Sequence, residues 1–290
     1  MLPISVYMEP ADWICDIGKR LDQRGYTAAN DGNISVRLDD DRFLCTPTMH
    51  SKGLMTPDDL CVVDGEGNQI SGDKNRSSEI MLHLEIYRHR PDVNCVVHCH
   101  PPHATAFAVA REAIPQCVLP EVEIFLGEVP IAPYATPGSP EFRQTIVPFV
   151  QHSNVIVLGN HGTVSFGRTP QLAYWFTEIL DAYCRVLILA RQLGGINYIS
   201  DDHCRELLAY KQEWGFSDPR IYGDDAGCNV CGHQAFGEHW SAAGVGRRAF
   251  PHPSLEVVGP ESAQTLPALS EDDIERIAEK VASKLAKLNR

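Results

Sequence analysis

The chain has 290 residues, enough for one sizeable core with appendages. A hydrophobic fraction of 43% and a charged fraction of 22% are ordinary for a globular protein, and no apolar run is long enough to span a membrane. A net charge of −13 argues against a general nucleic-acid surface, though a pocket of neutral donors can still hold one phosphate.

The N-terminus has no basic start followed by an apolar stretch, so no secretory signal and a cytoplasmic location are expected. Cys45, Cys61, Cys95, Cys117 and Cys184 sit inside apolar segments and read as reduced, buried thiols. Residues 11–24 carry Ile14, Ile17 and Leu21 at helical spacing, closed by Gly25. Two hairpins follow, turning at Asp39-Asp40-Asp41 and at Gly65-Glu66-Gly67-Asn68. A helix is expected from about Ser78 to Arg90, then a strand in VNCVVHCH and a helix from about His103 to Arg111. A strand near Val118–Phe125 and another over Asn154–Leu158 come next. Pro170–Leu193 reads as one long helix ended by Gly194-Gly195. Residues 1–222 form the expected main domain. Residues 223–268 are rich in Gly, Ala, Ser, His and Pro, and read as a linker or small separate element.

In VVHCH the side chains of His98 and His100 point to one face of a strand, where two imidazoles can chelate one ion. His161 follows the apolar strand VIVL in LGNHG, where a strand-end loop can present a third. Three imidazoles suit Zn²⁺ or a similar divalent cation. The alternative is a chance H-x-H among twelve histidines, with His83, His89 and His103 also on hand. Gly32-Asn33-Ile34-Ser35 places bare backbone beside an amide donor. Ser77-Ser78-Glu79 opens a helix, which fits either a phosphate site or a plain N-cap. Glu79 either complements the helix dipole or serves as a general base.

Taken together and in this order, GNIS, TPT, SSE, VVHCH, APYATPG and GNHG resemble the class II aldolase/adducin family, and most the L-fuculose-1-phosphate aldolase branch. The resemblance covers about residues 10–200. It implies an α/β fold in three layers, a central, mainly antiparallel sheet with helices on both faces, assembled as a homotetramer. It implies that His98, His100 and His161 bind zinc and that Glu79 is the catalytic acid/base. It maps a phosphate pocket onto Gly32, Asn33, Thr48, Ser77 and Ser78. The implied reaction is metal-dependent retro-aldol cleavage of a 6-deoxy-ketohexose 1-phosphate, L-fuculose-1-phosphate or L-rhamnulose-1-phosphate, to dihydroxyacetone phosphate and L-lactaldehyde. The epimerases of the fold, which act on L-ribulose-5-phosphate, carry S-S-D where this chain has S-S-E. A sugar-phosphate dehydratase and an adducin-like scaffold are the other relatives' roles, and three retained histidines speak against the scaffold.

The chain also departs from the pattern. Met49, His50, Ser51 and Lys52 follow the T-P-T turn where the family often has Gly, and Lys52 is a candidate to compensate. The tyrosine that serves the aldehyde product has no match, and Leu119 falls there. Glu123 falls near an acidic catalytic residue of the epimerases; it reads either as a second acid/base or as a structural surface residue.

In the last 22 residues, Ile274, Ile277, Val281, Leu285 and Leu288 form one apolar stripe on a helix capped by Ser270. A short amphipathic helix at 269–290 behind such a linker resembles the encapsulation peptides of bacterial microcompartment cargo, which implies shell or cargo proteins as partners. Its alternative is docking on its own core or tetramer. Cys228, Cys231, His233 and His239 make C-x2-C-x-H-x5-H, a candidate second metal cluster or a reduced linker.

Overall fold

The computed structural model describes residues 8–216, 218–222, 230–231 and 236–250. The chain divides after Glu256 into two units, and every described residue belongs to the first. The stripe at 269–290, with Cys228 and His233, lies outside the described residues.

Helix α1 (Pro10–Gln23) leads into strands β1 (Asn33–Arg37), β2 (Phe43–Cys45), β3 (Cys61–Val63) and β4 (Gln69–Ser71). Next come α2 (Ile80–His89), β5 (Cys95–Cys99), α3 (Pro102–Ala110), α4 (Pro120–Phe125) and β6 (Ile131–Ala132). Two short helices, α5 (Pro140–Gln144) and α6 (Val147–Val150), precede β7 (Val155–Leu158) and β8 (Gly162–Gly167). Helices α7 (Pro170–Gln192), α8 (Asp201–Glu213), α9 (Pro219–Tyr222) and α10 (Gly237–Ala243) follow. The strands form one eight-stranded sheet in the order β4-β3-β2-β1-β5-β8-β7-β6. Of its pairings β6–β7 is parallel and the rest are antiparallel. This is the mainly antiparallel central sheet that the resemblance implies.

The period-two alternation of β1 and β5 separates the two faces. Ile34, Val36, Cys95, Val97 and Cys99 pack with Ile14, Ile17 and Leu21 of α1. Val96 on the opposite face joins the larger core with Ile80, Leu82, Leu84 and Ile86 of α2. On that second face the register sets Asn33 opposite His98 and Ser35 opposite Val96. The site is therefore built where β1 and β5 run out beneath the start of α2.

Three readings need correction. Residues 118–125 are no strand: Pro120 stands in the first turn of α4, where its fixed φ and missing N–H favour a helix start. The parallel strand comes later, at Ile131–Ala132. Cys117 is no free thiol, because it is joined to Cys231 in a disulfide, while Cys45, Cys61, Cys95 and Cys184 are free and buried. Part of 223–268 is no linker: Phe236, Trp240, Ala243, Val245 and Phe250 belong to the main core. Gly246 accepts the Ala113 N–H at 2.9 Å, and the Glu112 carboxylate accepts the N–H groups of Arg248 and Ala249 at 3.0 Å. Burying each large aromatic is worth about 1.5–3 kcal/mol, so this stretch contributes to the fold. Among the described residues no helix is long and apolar enough to cross a membrane.

Candidate active site

His98 stands on β5, fully buried. His100 is one residue past the strand, its N–H donated to Tyr26 O at 2.8 Å. His161 occupies the tight turn between β7 and β8, beside Asn160 at φ 55°. One ring nitrogen from each histidine lies within 4.8 Å of the others, and ring centroids are 4.8–5.1 Å apart. The three other histidines named from the sequence are engaged elsewhere. His83 meets Ser35 Oγ at 2.7 Å, His89 meets Glu85 at 3.2 Å and His103 meets Asp181 at 2.9 Å.

The tautomers follow from what each outer nitrogen faces. His98 Nδ1 is 2.8 Å from the Thr163 carbonyl oxygen, which can accept and never donate. The proton therefore sits on Nδ1, and Nε2 carries a lone pair. His100 Nδ1 lies 3.3 Å from the Asp31 carboxylate, which places its lone pair on Nε2 in the same way. The two Nε2 atoms are 3.3 Å apart. Glu79 adds more negative charge, with Oε2 3.3 Å from His98 Nε2 and Oε1 3.6 Å from His161 Nε2. Acceptors converging on acceptors repel, and a divalent cation is what relieves this. The outer carbonyl and carboxylate are the partners that orient imidazole ligands in metal sites. Burial, then the neighbouring His100, pushes His98 down to about 3; burial and His98 do the same to His161. Both rings are thus neutral, the ligating form, at ordinary pH. The residues present fit a divalent metal.

Glu79 is the N-cap residue of α2, yet its side chain caps nothing. Ser77 Oγ accepts the Glu79 N–H at 3.3 Å instead. That frees the carboxylate to turn toward the imidazoles, where Asn33 Nδ2 donates to Oε2 at 2.7 Å. Asn33 can do this because β1 sets it opposite His98. One of its two amide donors is thereby committed to Glu79.

Of the mapped phosphate residues, Thr48 and Ser77 come together through backbone pairing. Ser77 N–H donates to Thr46 O at 3.1 Å and Thr48 N–H to Asn75 O at 2.9 Å, about a bridge between Pro47 and Arg76. Ser78 is exposed, and the Gly138 turn of the APYATPG motif approaches its carbonyl. Lys52 is buried, with Nζ donating to Asn30 O at 2.8 Å and His50 O at 2.6 Å; burial pushes it down to about 8. It is a cation near this rim beyond the mapped set. Asp31 and Thr163 escaped sequence reasoning because one acts through a distant ring and the other through its backbone.

Gly32 has φ 75°, and a Cβ there would lie 2.8 Å from His98 O. Gly32→Ala therefore combines left-handed strain with a push on the strand that carries a ligand. The expected outcome is a loss of about 1–3 kcal/mol in denaturant unfolding, with weakened metal retention on dialysis.

The architecture is that of the class II aldolase fold. The chain belongs to the family described as Class II Aldolase and Adducin N-terminal domain, whose model matches residues 12–188. Among curated relatives it is 33% identical over 195 residues to 3-oxo-tetronate 4-phosphate decarboxylase of Haemophilus influenzae, covering 66% of this chain and 92% of the relative. It is 36% identical over 163 residues to L-fuculose phosphate aldolase of Methanococcus vannielii, covering 56% and 87%. Among solved structures it is similar to YgbL, a putative aldolase/epimerase/decarboxylase from Klebsiella pneumoniae, at TM-score 0.64 and 32% identity over 68% of this chain and 97% of that one.

The other departures also resolve. Leu119 is the N-cap residue of α4. Glu123 is neither at the surface nor at the histidines. It is fully buried, accepting the Cys117 N–H at 2.6 Å through Oε1 and Arg220 at 2.6 Å through Oε2.

Proposed function

We propose that the chain is a zinc-dependent lyase that breaks a C–C bond in a small ketose phosphate, by retro-aldol cleavage of L-fuculose-1-phosphate or L-rhamnulose-1-phosphate. The observation that carries this reading is the Glu79 carboxylate, held by Asn33 against His98 and His161, two of three convergent imidazoles. His98, His100 and His161 would hold the metal, which when bound supplies Lewis-acid stabilisation of negative charge developing on a substrate oxygen. Glu79 returns a proton to the carbon at which the bond broke, completing dihydroxyacetone phosphate. Gly32, Asn33, Thr48, Ser77 and Ser78 bind the phosphate, with Lys52 adding charge. This remote grip positions the reacting bond. The same reading carries a homotetramer.

A second reading is supported by Leu119 and by the Haemophilus influenzae relative. Loss of CO₂ from a 3-oxo-tetronate 4-phosphate leaves the same dihydroxyacetone phosphate enediolate and the same need for Glu79. It releases no aldehyde, so an apolar residue in place of the tyrosine costs nothing. Both reactions are read by a coupled assay for dihydroxyacetone phosphate, run before and after chelation. Lactaldehyde from either deoxy sugar phosphate, abolished by chelation and restored by zinc, is the expected result. CO₂ from the oxo acid with no sugar cleavage replaces it with the decarboxylase. No product from any of the three overturns both.

The resemblance of 269–290 to encapsulation peptides supports housing in a bacterial microcompartment. A chain ending at 268 should keep its activity and no longer co-purify with shell proteins. Co-purification of the truncated chain would end that proposal.

A further inference from the structure

Three sulfurs converge well away from the histidines in sequence. Cys117 lies in the loop before α4, Cys204 in the first turn of α8, and Cys231 in the described pair 230–231. Their Sγ atoms all lie within 4.8 Å of one another, and all three residues are buried, at 0%, 0% and 3% exposure. Cys231 Sγ is bonded to Cys117 and is 3.5 Å from Cys204 Sγ. A disulfide uses two of these sulfurs and leaves the third packed against the bond. A single tetrahedral ion uses all three: with metal–sulfur bonds of about 2.3 Å, its sulfurs lie roughly 3.8 Å apart.

The surroundings give such an ion a task. The three cysteines, with Leu208 and Val230, form a small buried cluster separate from the two larger cores. It joins the Cys117 loop to α8, to the chain just before α8, where Ile199 N–H donates to Cys117 O at 2.7 Å, and to Val230 and Cys231 beyond it. Leu208 and Val230 are its buried aliphatic side chains, with Tyr198, Ile199 and Ile221 partly buried against it, so a metal or a disulfide among the three sulfurs adds a cross-link to a small apolar contact.

We propose that Cys117, Cys204 and Cys231 form a second, structural metal site that takes one thiolate-bound divalent ion, zinc in class, and that the disulfide is the oxidised form of the same pocket. Two-electron reduction of the Cys117–Cys231 bond by two equivalents of a small-molecule thiol, which leave joined as their own disulfide, yields two thiols beside that of Cys204. Binding of the ion then releases one proton from each thiol and forms three metal–sulfur bonds. Three soft sulfur donors prefer zinc or cobalt to the hard cations that carboxylates take. Cys228 precedes Cys231 by three residues in sequence and lies outside the described residues; the site as proposed is the three sulfurs.

The test uses the full chain, purified with a thiol reductant and loaded with Co²⁺. Sulfur-to-cobalt charge-transfer absorption is expected in the wild type and in His98→Ala, and is expected to vanish in Cys204→Ser. Total metal should fall by one ion per chain in each variant. Should Cys204→Ser fail to fold, alkylation mapping of the wild type decides: the metal should protect Cys117, Cys204 and Cys231 together, and a chelator should release all three together. A fully reduced, folded chain without charge-transfer absorption overturns the site. So does alkylation of these three cysteines unaffected by metal, and so does iron with acid-labile sulfide in place of a single ion.

Discussion

Glu79→Gln is expected to lower kcat for dihydroxyacetone phosphate formation about a thousandfold while leaving the fold and the metal content unchanged. The substitution keeps the shape, and a glutamine carbonyl can still accept the Asn33 Nδ2 donor that now meets Oε2 at 2.7 Å. What it removes is a group that can carry a proton. Two of the three imidazoles do not depend on Glu79 for orientation, since His98 is fixed by Thr163 O and His100 by Asp31, and the third, His161, keeps the side-chain amide of the glutamine facing its Nε2. Metal analysis of the variant beside its kinetics separates a lost acid/base from a lost ligand. A variant that keeps full kcat would remove Glu79 from the chemistry and, with it, the observation on which the proposed function stands.

The parts of this site that were legible in the sequence are those with a local signature. His98 and His100 are two residues apart on a strand, so their common direction follows from the pleat. His161 was legible from the apolar strand VIVL that runs into its loop; the structure adds that a Cβ at Gly162 would lie 2.5 Å from Cys99 O, so the turn must be bare to let β8 approach β5. Other parts depended on partners that no local pattern names. The strand GTVSFG is buried throughout, so it shows no alternation, and small residues at its ends hid it. The sequence PEVEIF alternates like a strand, yet Pro120 starts a helix whose Val122 and Glu123 are both buried. Residues 236–250 have little periodicity because they contribute a few large side chains to a core already built, as in the stacking of Phe250 on Phe107 at 5.9 Å. The pairing of Cys117 with Cys231 spans 114 residues and has no counterpart in sequence spacing.

Glu123 shows most clearly what burial adds to such a reading. Its carboxylate lies in a chain of charges that is almost wholly inside the protein. Arg220 bridges Glu123 at 2.6 Å to Asp218 at 2.8 and 2.9 Å, and Lys211 reaches Asp218 at 2.8 Å. These side chains are between 0% and 3% exposed. Lys211 lies on α8, and Asp218 and Arg220 follow it, so the network pins this part of the chain to α4. The attraction of such charges is largely offset by the cost of taking them out of water, whereas removing one partner strands the others. Arg220→Met deletes the central cation and leaves two buried carboxylates with Lys211 as their remaining cation in the network. The expected cost is about 3–5 kcal/mol in equilibrium denaturation. Glu123→Gln should also destabilise the fold, and should leave kcat within about twofold of the wild type at temperatures where the variant stays folded, because neither Glu123 oxygen faces the histidines. A Glu123→Gln chain that is stable but loses kcat by orders of magnitude would return Glu123 to the role of second acid/base. An Arg220→Met chain as stable as the wild type would show that the network contributes nothing to holding α8 and the residues after it in place.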